Sequence, residues 1–212
     1  MCDDAECCGC FGRYRRFAFG FCIGLAIVAA VAVFVVLVLG YGHVSRVRFA
    51  VNDASLTRFA LATSPTTAIS YNLTLTLSAR NPNWAMAAAF RSLQADYLFG
   101  GQRFDGVAAV SAPPGYVLPA RKTAVFHLAT GADAAHVALG SAGVREFREE
   151  SRDGVFDVEV ALSGEVRYHL HRTWCRLEAR CPLKLQLAAA NAGGVVFQKT
   201  NCVVFSSSQR GC

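Results

Sequence analysis

Nine cysteines are divided between the two ends of the chain, and their surroundings decide what chemistry each group can do. Cys2, Cys7, Cys8, Cys10 and Cys22 come early, in or beside an apolar block, while Cys175, Cys181, Cys202 and Cys212 come late. Cys7, Cys8 and Cys10 stand next to arginines just before the apolar block, where thiols either stay free or suit reversible palmitoylation on a cytosolic face. They do not make a zinc site, because no second ligand pair at a suitable spacing accompanies them. The late four suit disulfides in an oxidising compartment. Cys181 with Cys202 is the preferred pair, since each opens an apolar strand phase. The other pairings with Cys175 and Cys212, and buried free thiols, stay open.

A second chemistry is written at Asn72-Leu73-Thr74, an N-glycosylation acceptor that has meaning only if this segment leaves the cytosol. His169 and His171 are the only histidines close together, and on a strand both would share the polar face with Arg167. No carboxylate or third histidine stands near enough in sequence to complete a metal site, so a solvated face is the expectation. The net charge of +6 resides after the apolar block, because three arginines and three acids cancel before it. Arg167, Arg172, Arg176, Arg180 and Lys184 concentrate part of it. Such a surface beside a bilayer would attract anionic lipid or an acidic wall polymer. No phosphate-cradling glycine loop, G-x-S-x-G elbow or H-E-x-x-H occurs, so no catalytic residue, metal or cofactor is assigned and an enzyme is unsupported.

The elements that carry these residues begin with FAFGFCIGLAIVAAVAVFVVLVLGYG, Phe17 to Gly42, which has no charge. At about 1.5 Å per residue it crosses a hydrocarbon core of roughly 30 Å. A cleaved signal peptide would have a shorter apolar region and a small-residue cleavage site, which the Leu39-Gly40-Tyr41-Gly42-His43 exit matches poorly. Arg13, Arg15 and Arg16 before the span against Arg46 and Arg48 after it favour a cytosolic N-terminus by one residue. Residues 1–16 are therefore expected to be a cytosolic Cys/Arg tail, 17–42 a transmembrane signal anchor and 43–212 an extracytosolic domain.

Beyond the span the apolar period is two. Val47, Phe49 and Val51 open a strand; Tyr71, Leu73, Leu75, Leu77 and Ala79 form a face that ends at Asn81-Pro82-Asn83; RKTAVFHLA, Arg121 to Ala129, is another candidate. Phe156, Val158, Val160 and Leu162 continue past Gly164 through Val166, Tyr168 and Leu170, as one long strand with a glycine irregularity or as two. Cys181, Leu183, Leu185 and Leu187, then Cys202 and Val204, form further faces. FGGQRFDG, Phe99 to Gly106, and SAPPGYVLP, Ser111 to Pro119, are expected to be connections. Between Ala132 and Gly154 a weakly amphipathic helix is expected, with Asp133 as a cap. At least six short strands and at most one helix describe an all-β, antiparallel sandwich of roughly 165 residues.

The Cys/Arg tail, the single span, the strand into Asn81-Pro82-Asn83, Tyr97 with FGGQRF, YVLPARKTAVFHL, GVFDVEVALSGEVRY, RCPLKL and TNCVVF resemble the plant harpin-induced-like proteins. These are similar to the non-race-specific disease resistance protein and carry the late embryogenesis abundant group 2 domain. The resemblance implies a plasma-membrane protein with a fibronectin-like β-sandwich outside, often glycosylated, acting in pathogen response or drought and osmotic stress. FSSSQRGC offers no apolar tail, so a lipid anchor of the C-terminal kind is not expected. Where the family is often basic after NPN, this chain has Trp84-Ala85-Met86.

Two functional classes follow. The first is non-enzymatic contact of the outer sandwich with wall or surface protein partners. The second is a membrane-tethered domain that binds lipid or an apolar ligand, in a cavity between the sheets or a groove rimmed by the basic residues. Nucleic acid is not an expected partner of a membrane-tethered domain.

Overall fold

Twenty-two consecutive residues, Ala18–Leu39, are apolar and none is buried in the chain taken alone, as expected of a helix whose solvent is lipid. They lie within helix α1, Asp4–Tyr41. The computed structural model describes residues 4–41, 44–63, 67–110, 115–169, 172–188 and 197–205, with side chains of α1 from 18 to 39. The helix starts at Asp4, before Phe17, and no proline interrupts it. The chain divides into two units, Met1–Val44 and Ser45–Cys212.

The second unit is built from strands β1 (Arg48–Ala62), β2 (Ala68–Arg80), β3 (Ala88–Phe99), β4 (Gln102–Val110), β5 (Tyr116–Leu118) and β6 (Thr123–His136). Helix α2 (Ser141–Asp153) follows, then β7 (Val155–Tyr168), β8 (Cys175–Gln186), β9 (Thr200–Asn201) and β10 (Val203–Phe205). One sheet has the order β6-β2-β1-β9; the other has β10-β8-β7-β3-β4, with β5 also on β3. Every ladder between these strands is antiparallel. The alternating faces of β2, β7 and β8 are buried on one side and wet on the other, which is how two sheets enclose one core. Edge-to-face rings join the sheets, with Phe49 on Phe90 at 6.3 Å and Phe59 on Phe156 at 4.8 Å. Phe59 also meets Phe99 and Phe104, and α2 adds Phe147 from above. Burying a ring of this size stabilises by about 2 to 3 kcal/mol.

Four expectations are corrected. The strands are not uniformly short, since β1 runs for 15 residues and β2 for 13. Phe99 to Gly106 is not a connection: Gly100 and Gly101 make a tight turn at positive φ, and β4 already starts at Gln102. Asp133 caps nothing. It lies in β6 and pairs with Arg58 at 2.7 Å, while α2 starts after Gly140 without a side-chain cap. Finally, His169 stands just past the end of β7, exposed in a turn, and His171 and Leu170 lie outside the described residues.

The residues around Gly164 form a single strand. The irregularity sits on its partner, where a register shift between Phe90 and Ser92 bulges β3. A Cβ on Gly164 would fall 2.3 Å from the Ser92 carbonyl oxygen, so the two backbones meet there only because the side chain is absent.

Candidate functional site

Asn81-Pro82-Asn83 ends β2, and both asparagines are buried. A buried amide must be fully partnered, and these are. Asn81 Nδ2 donates to the carbonyls of Met86 (2.8 Å), Leu118 and Pro119 (both 3.3 Å). Its Oδ1 accepts from Asn83 N at 3.1 Å and Asn83 Nδ2 at 2.9 Å. Asn83 then reaches the first residue of the sandwich unit in both directions. Its Nδ2 donates to Ser45 O at 2.6 Å, and its Oδ1 accepts from Ser45 N at 2.7 Å. Two residues on, Val47 N donates to Tyr168 Oη at 3.3 Å. The motif is thus a clasp that fixes the entry of the chain into the sandwich. Its role is legible only once Ser45 is placed beside it.

Asn72 is exposed on β2, between Arg58 of β1 and Gly131 of β6. The chemistry of a sequon needs an accessible amide, and this one is accessible.

Cys181 and Cys202 are joined by a disulfide with a Cα–Cα distance of 4.3 Å. It lies where the chain passes from β9 on one sheet to β10 on the other, and Cys202 N donates to Phe49 O at 3.0 Å. Cys175 is disulfide-bonded as well, and Cys212 lies outside the described residues. Closing a 21-residue separation removes enough unfolded-chain entropy to stabilise by about 3 kcal/mol. The side chains of Cys7, Cys8 and Cys10 are outside the described residues, and Cys22 is a free, exposed thiol in the apolar helix.

The late basic residues are not a bare cationic stripe. Arg176, Arg180 and Lys184 share the wet face of β8, but Arg176 pairs with Glu178 at 2.7 Å, Arg180 with Glu159 at 3.3 Å and Lys184 with Asp157 at 3.8 Å. Arg180 also covers Phe205, and Arg167 lies over Trp174 at 4.8 Å. Arg172 is exposed in the turn before β8. Glu178 on β8 itself, with Glu159 and Asp157 across on β7, therefore offsets much of the charge at these three positions. A groove of ≈ 600 Å³ borders this face, lined among others by Leu93, Val110, Glu165, Trp174 and Arg176.

A polar network lies between the sheets that the sequence pattern did not single out. Asp105 of β4 accepts hydrogen bonds from Tyr71 Oη and Thr130 Oγ1, across from β2 and β6. Tyr97, directly opposite Asp105 on β3, has its hydroxyl buried with no hydrogen-bond partner among the described residues. Burial first, then the Asp105 hydrogen bond, raises the Tyr71 phenol to about 12. Burial and the same carboxylate push Tyr97 up too. Burial alone would raise Asp105, but hydrogen bonds from Thr130, Tyr71 and the Gly106 backbone, with Arg103 nearby, outweigh it and hold the carboxyl below its usual range. A tyrosine at an apolar phase position signals only a buried ring, so the network stayed hidden until the sheets were faced. Among the described residues no group of three His, Cys, Asp or Glu side chains could hold a metal ion.

With this geometry in place, the family resemblance is supported directly. NDR1/HIN1-like protein 3 of Arabidopsis thaliana is 26% identical over 208 residues, covering 93% of this chain and 87% of the relative. NDR1/HIN1-like protein 10 is 28% identical over 171 residues, covering 75% and 72%. NDR1/HIN1-like protein 2 is 26% identical over 161 residues, covering 74% and 64%. No family model matches the chain, so the late embryogenesis abundant group 2 domain is only what the resemblance implies. A crystal structure of a protein from Archaeoglobus fulgidus aligns with 66% of this chain at 8% identity and a TM-score of 0.34, too slight a likeness to bear on the fold.

Proposed function

We propose, from the likeness to NDR1/HIN1-like proteins, that the chain is a single-pass plasma-membrane protein of plant defence or stress response. Its N-terminus is cytosolic, and its sandwich, outside, acts by binding wall or surface partners without catalysis. The observation that carries this reading is the Cys181–Cys202 bridge in the unit that follows an apolar helix. Structural disulfides persist in oxidising compartments, and a span of this length separates such a compartment from the cytosol. The exposed Asn72 sequon agrees with that side of the membrane. Palmitoylation at Cys7, Cys8 or Cys10 would add a second attachment on the cytosolic side.

The ≈ 600 Å³ groove beside Trp174 and Arg176 supports the second reading, binding of an apolar molecule with an anionic head. Partner binding is the stronger reading, because the basic residues near that groove are mostly paired with acids. The test is gel mobility of the full chain from plant membranes, with and without a glycan-removing enzyme, beside Asn72→Gln, together with capture of tagged chain from resting and elicited leaf. A glycan shift lost in the variant, and a partner set that changes on elicitation, is the expected result. An unglycosylated chain that captures nothing above background in either state would count against it.

A further inference from the structure

The wet face of the β10-β8-β7-β3-β4 sheet carries a trough that its register builds. Ala108, Gln94, Ser163 and Glu178 stand side by side on β4, β3, β7 and β8. The row beside them holds Ser92, Glu165 and Arg176. Ser92 reaches that row because Arg91 is the extra residue of the β3 bulge, and a bulge both re-aims side chains and bends the strand. The side chains in the middle of the two rows are short, so the groove of ≈ 600 Å³ opens over them, with Trp174 on its wall. Four strands at their usual spacing make it about 14 Å long across the sheet.

The polar groups of this trough are unspent. The hydroxyls of Ser92 and Ser163 make no hydrogen bond among the described residues. Gln94 donates to Asp96 at 2.8 Å and keeps its own carbonyl oxygen available as an acceptor. The charges, by contrast, are used up: Glu165 pairs with Arg91 at 3.5 Å and Arg176 with Glu178 at 2.7 Å. The trough therefore has no net pull on an anion or a cation. In the two rows no side chain larger than that of Ala108 is apolar, so an amphipathic helix would find no anchor here. The half-buried Trp174 is the one large apolar surface offered beside these hydroxyls, and Arg167 over its ring at 4.8 Å holds the indole in place.

An indole face beside neutral hydroxyl and amide groups is complementary to a sugar. A pyranose ring presents polarised C–H groups on its faces, which meet the negative face of an aromatic ring, and hydroxyls around its rim, which both donate and accept. A straight trough that is open along a sheet face admits an extended chain of such rings. The Asn72 sequon lies on β2, in the other sheet, so a glycan attached there would leave this face uncovered.

We propose that this groove binds a neutral, extended, β-linked polysaccharide, with one ring of the chain stacked on Trp174 and its hydroxyls held by Ser92, Gln94 and Ser163. The inference rests on the reading of the sandwich as an outer, partner-binding domain and names the class of that partner. It also assigns the groove to a sugar in preference to an apolar molecule with an anionic head.

The experiment uses the full chain as Trp84→Phe, which leaves Trp174 as its only tryptophan, in phosphatidylcholine nanodiscs. Cellohexaose, xylohexaose and mannohexaose are titrated while Trp174 emission is followed. A saturable change with at least one of them, equal at low and high salt, is the expected result, since an uncharged ligand is not screened. By calorimetry, Trp174→Ala should weaken that binding about tenfold. Ser163→Leu, which fills the trough, should abolish it, and Asn72→Gln on the other sheet should leave it unchanged. Thermal unfolding reports whether each variant is folded, and Trp174→Ala decides alone if Ser163→Leu is not. No response to any of the three sugars, or binding that Trp174→Ala leaves intact, overturns the proposal. Tighter, salt-sensitive binding of polygalacturonate overturns it in favour of an acidic polymer, and tighter binding of hexanoate in favour of an anionic amphiphile. The assay does not depend on topology, so its failure leaves the outer-sandwich reading standing, whereas that reading fails on the Asn72 glycan shift.

Discussion

Asp105 holds together groups from three strands with one carboxylate, and its protonation state is therefore tied to folding. Its folded pKa is lowered, so the stability it contributes is present above the ordinary value of 3.8 and is lost as pH falls through the lower folded value. Tyr71 has the opposite sign. Its pKa rises from 10.0 to about 12, so its contribution is full below pH 10 and disappears as pH climbs toward 12. Urea unfolding of the full chain in detergent, followed across pH, is expected to give a plateau between these limits. Asp105→Asn should lower that plateau by about 1 to 3 kcal/mol, because Tyr71 and Thr130 lose a charged acceptor inside the sandwich. It should also remove the acid limb, and an acid limb that survives in the variant would show that another carboxylate sets it.

The strand elements explain which parts of the fold were legible in the sequence. β2, β7 and β8 keep a strict period of two, so their buried faces could be read from Tyr71, Phe156 and Cys181 onward. β1 and β3 could not be read so far. Register shifts between Val51 and Asp53 and between Leu56 and Arg58 in β1, and between Phe90 and Ser92 in β3, stretch the spacing of inward residues from two to three. That spacing imitates a loop or a helix face. Gly164 was visible as an irregularity, but the bulge it accommodates belongs to the other strand. Gly164→Ala should therefore cost about 1 to 3 kcal/mol by forcing β7 off the Ser92 carbonyl. The same change at Gly101, where no atom lies within 4 Å, meets only the left-handed backbone at φ +74 and should cost less. Equal losses in thermal unfolding would contradict the close-approach account.

At the scale of the whole molecule, the sequence displayed the span, the sandwich class and the sequon, because each is a local pattern. The function of NPN was not visible there. Its clasp is made with Ser45, 38 residues away, and only the folded chain shows that the motif ties the entry point to the base of the sandwich. Likewise, the acids that meet Arg180 and Lys184 stand on β7, some twenty-five residues away in sequence, and only the register of β7 on β8 brings them together. The central claim is that the span divides a cytosolic N-terminus from a disulfide-bearing outer sandwich. Protease protection of the full chain in sealed microsomes, with a tag after Cys212, tests it most directly. The account predicts a sandwich fragment that survives until detergent opens the vesicles, whereas digestion of that fragment in intact vesicles would place the sandwich in the cytosol and contradict it.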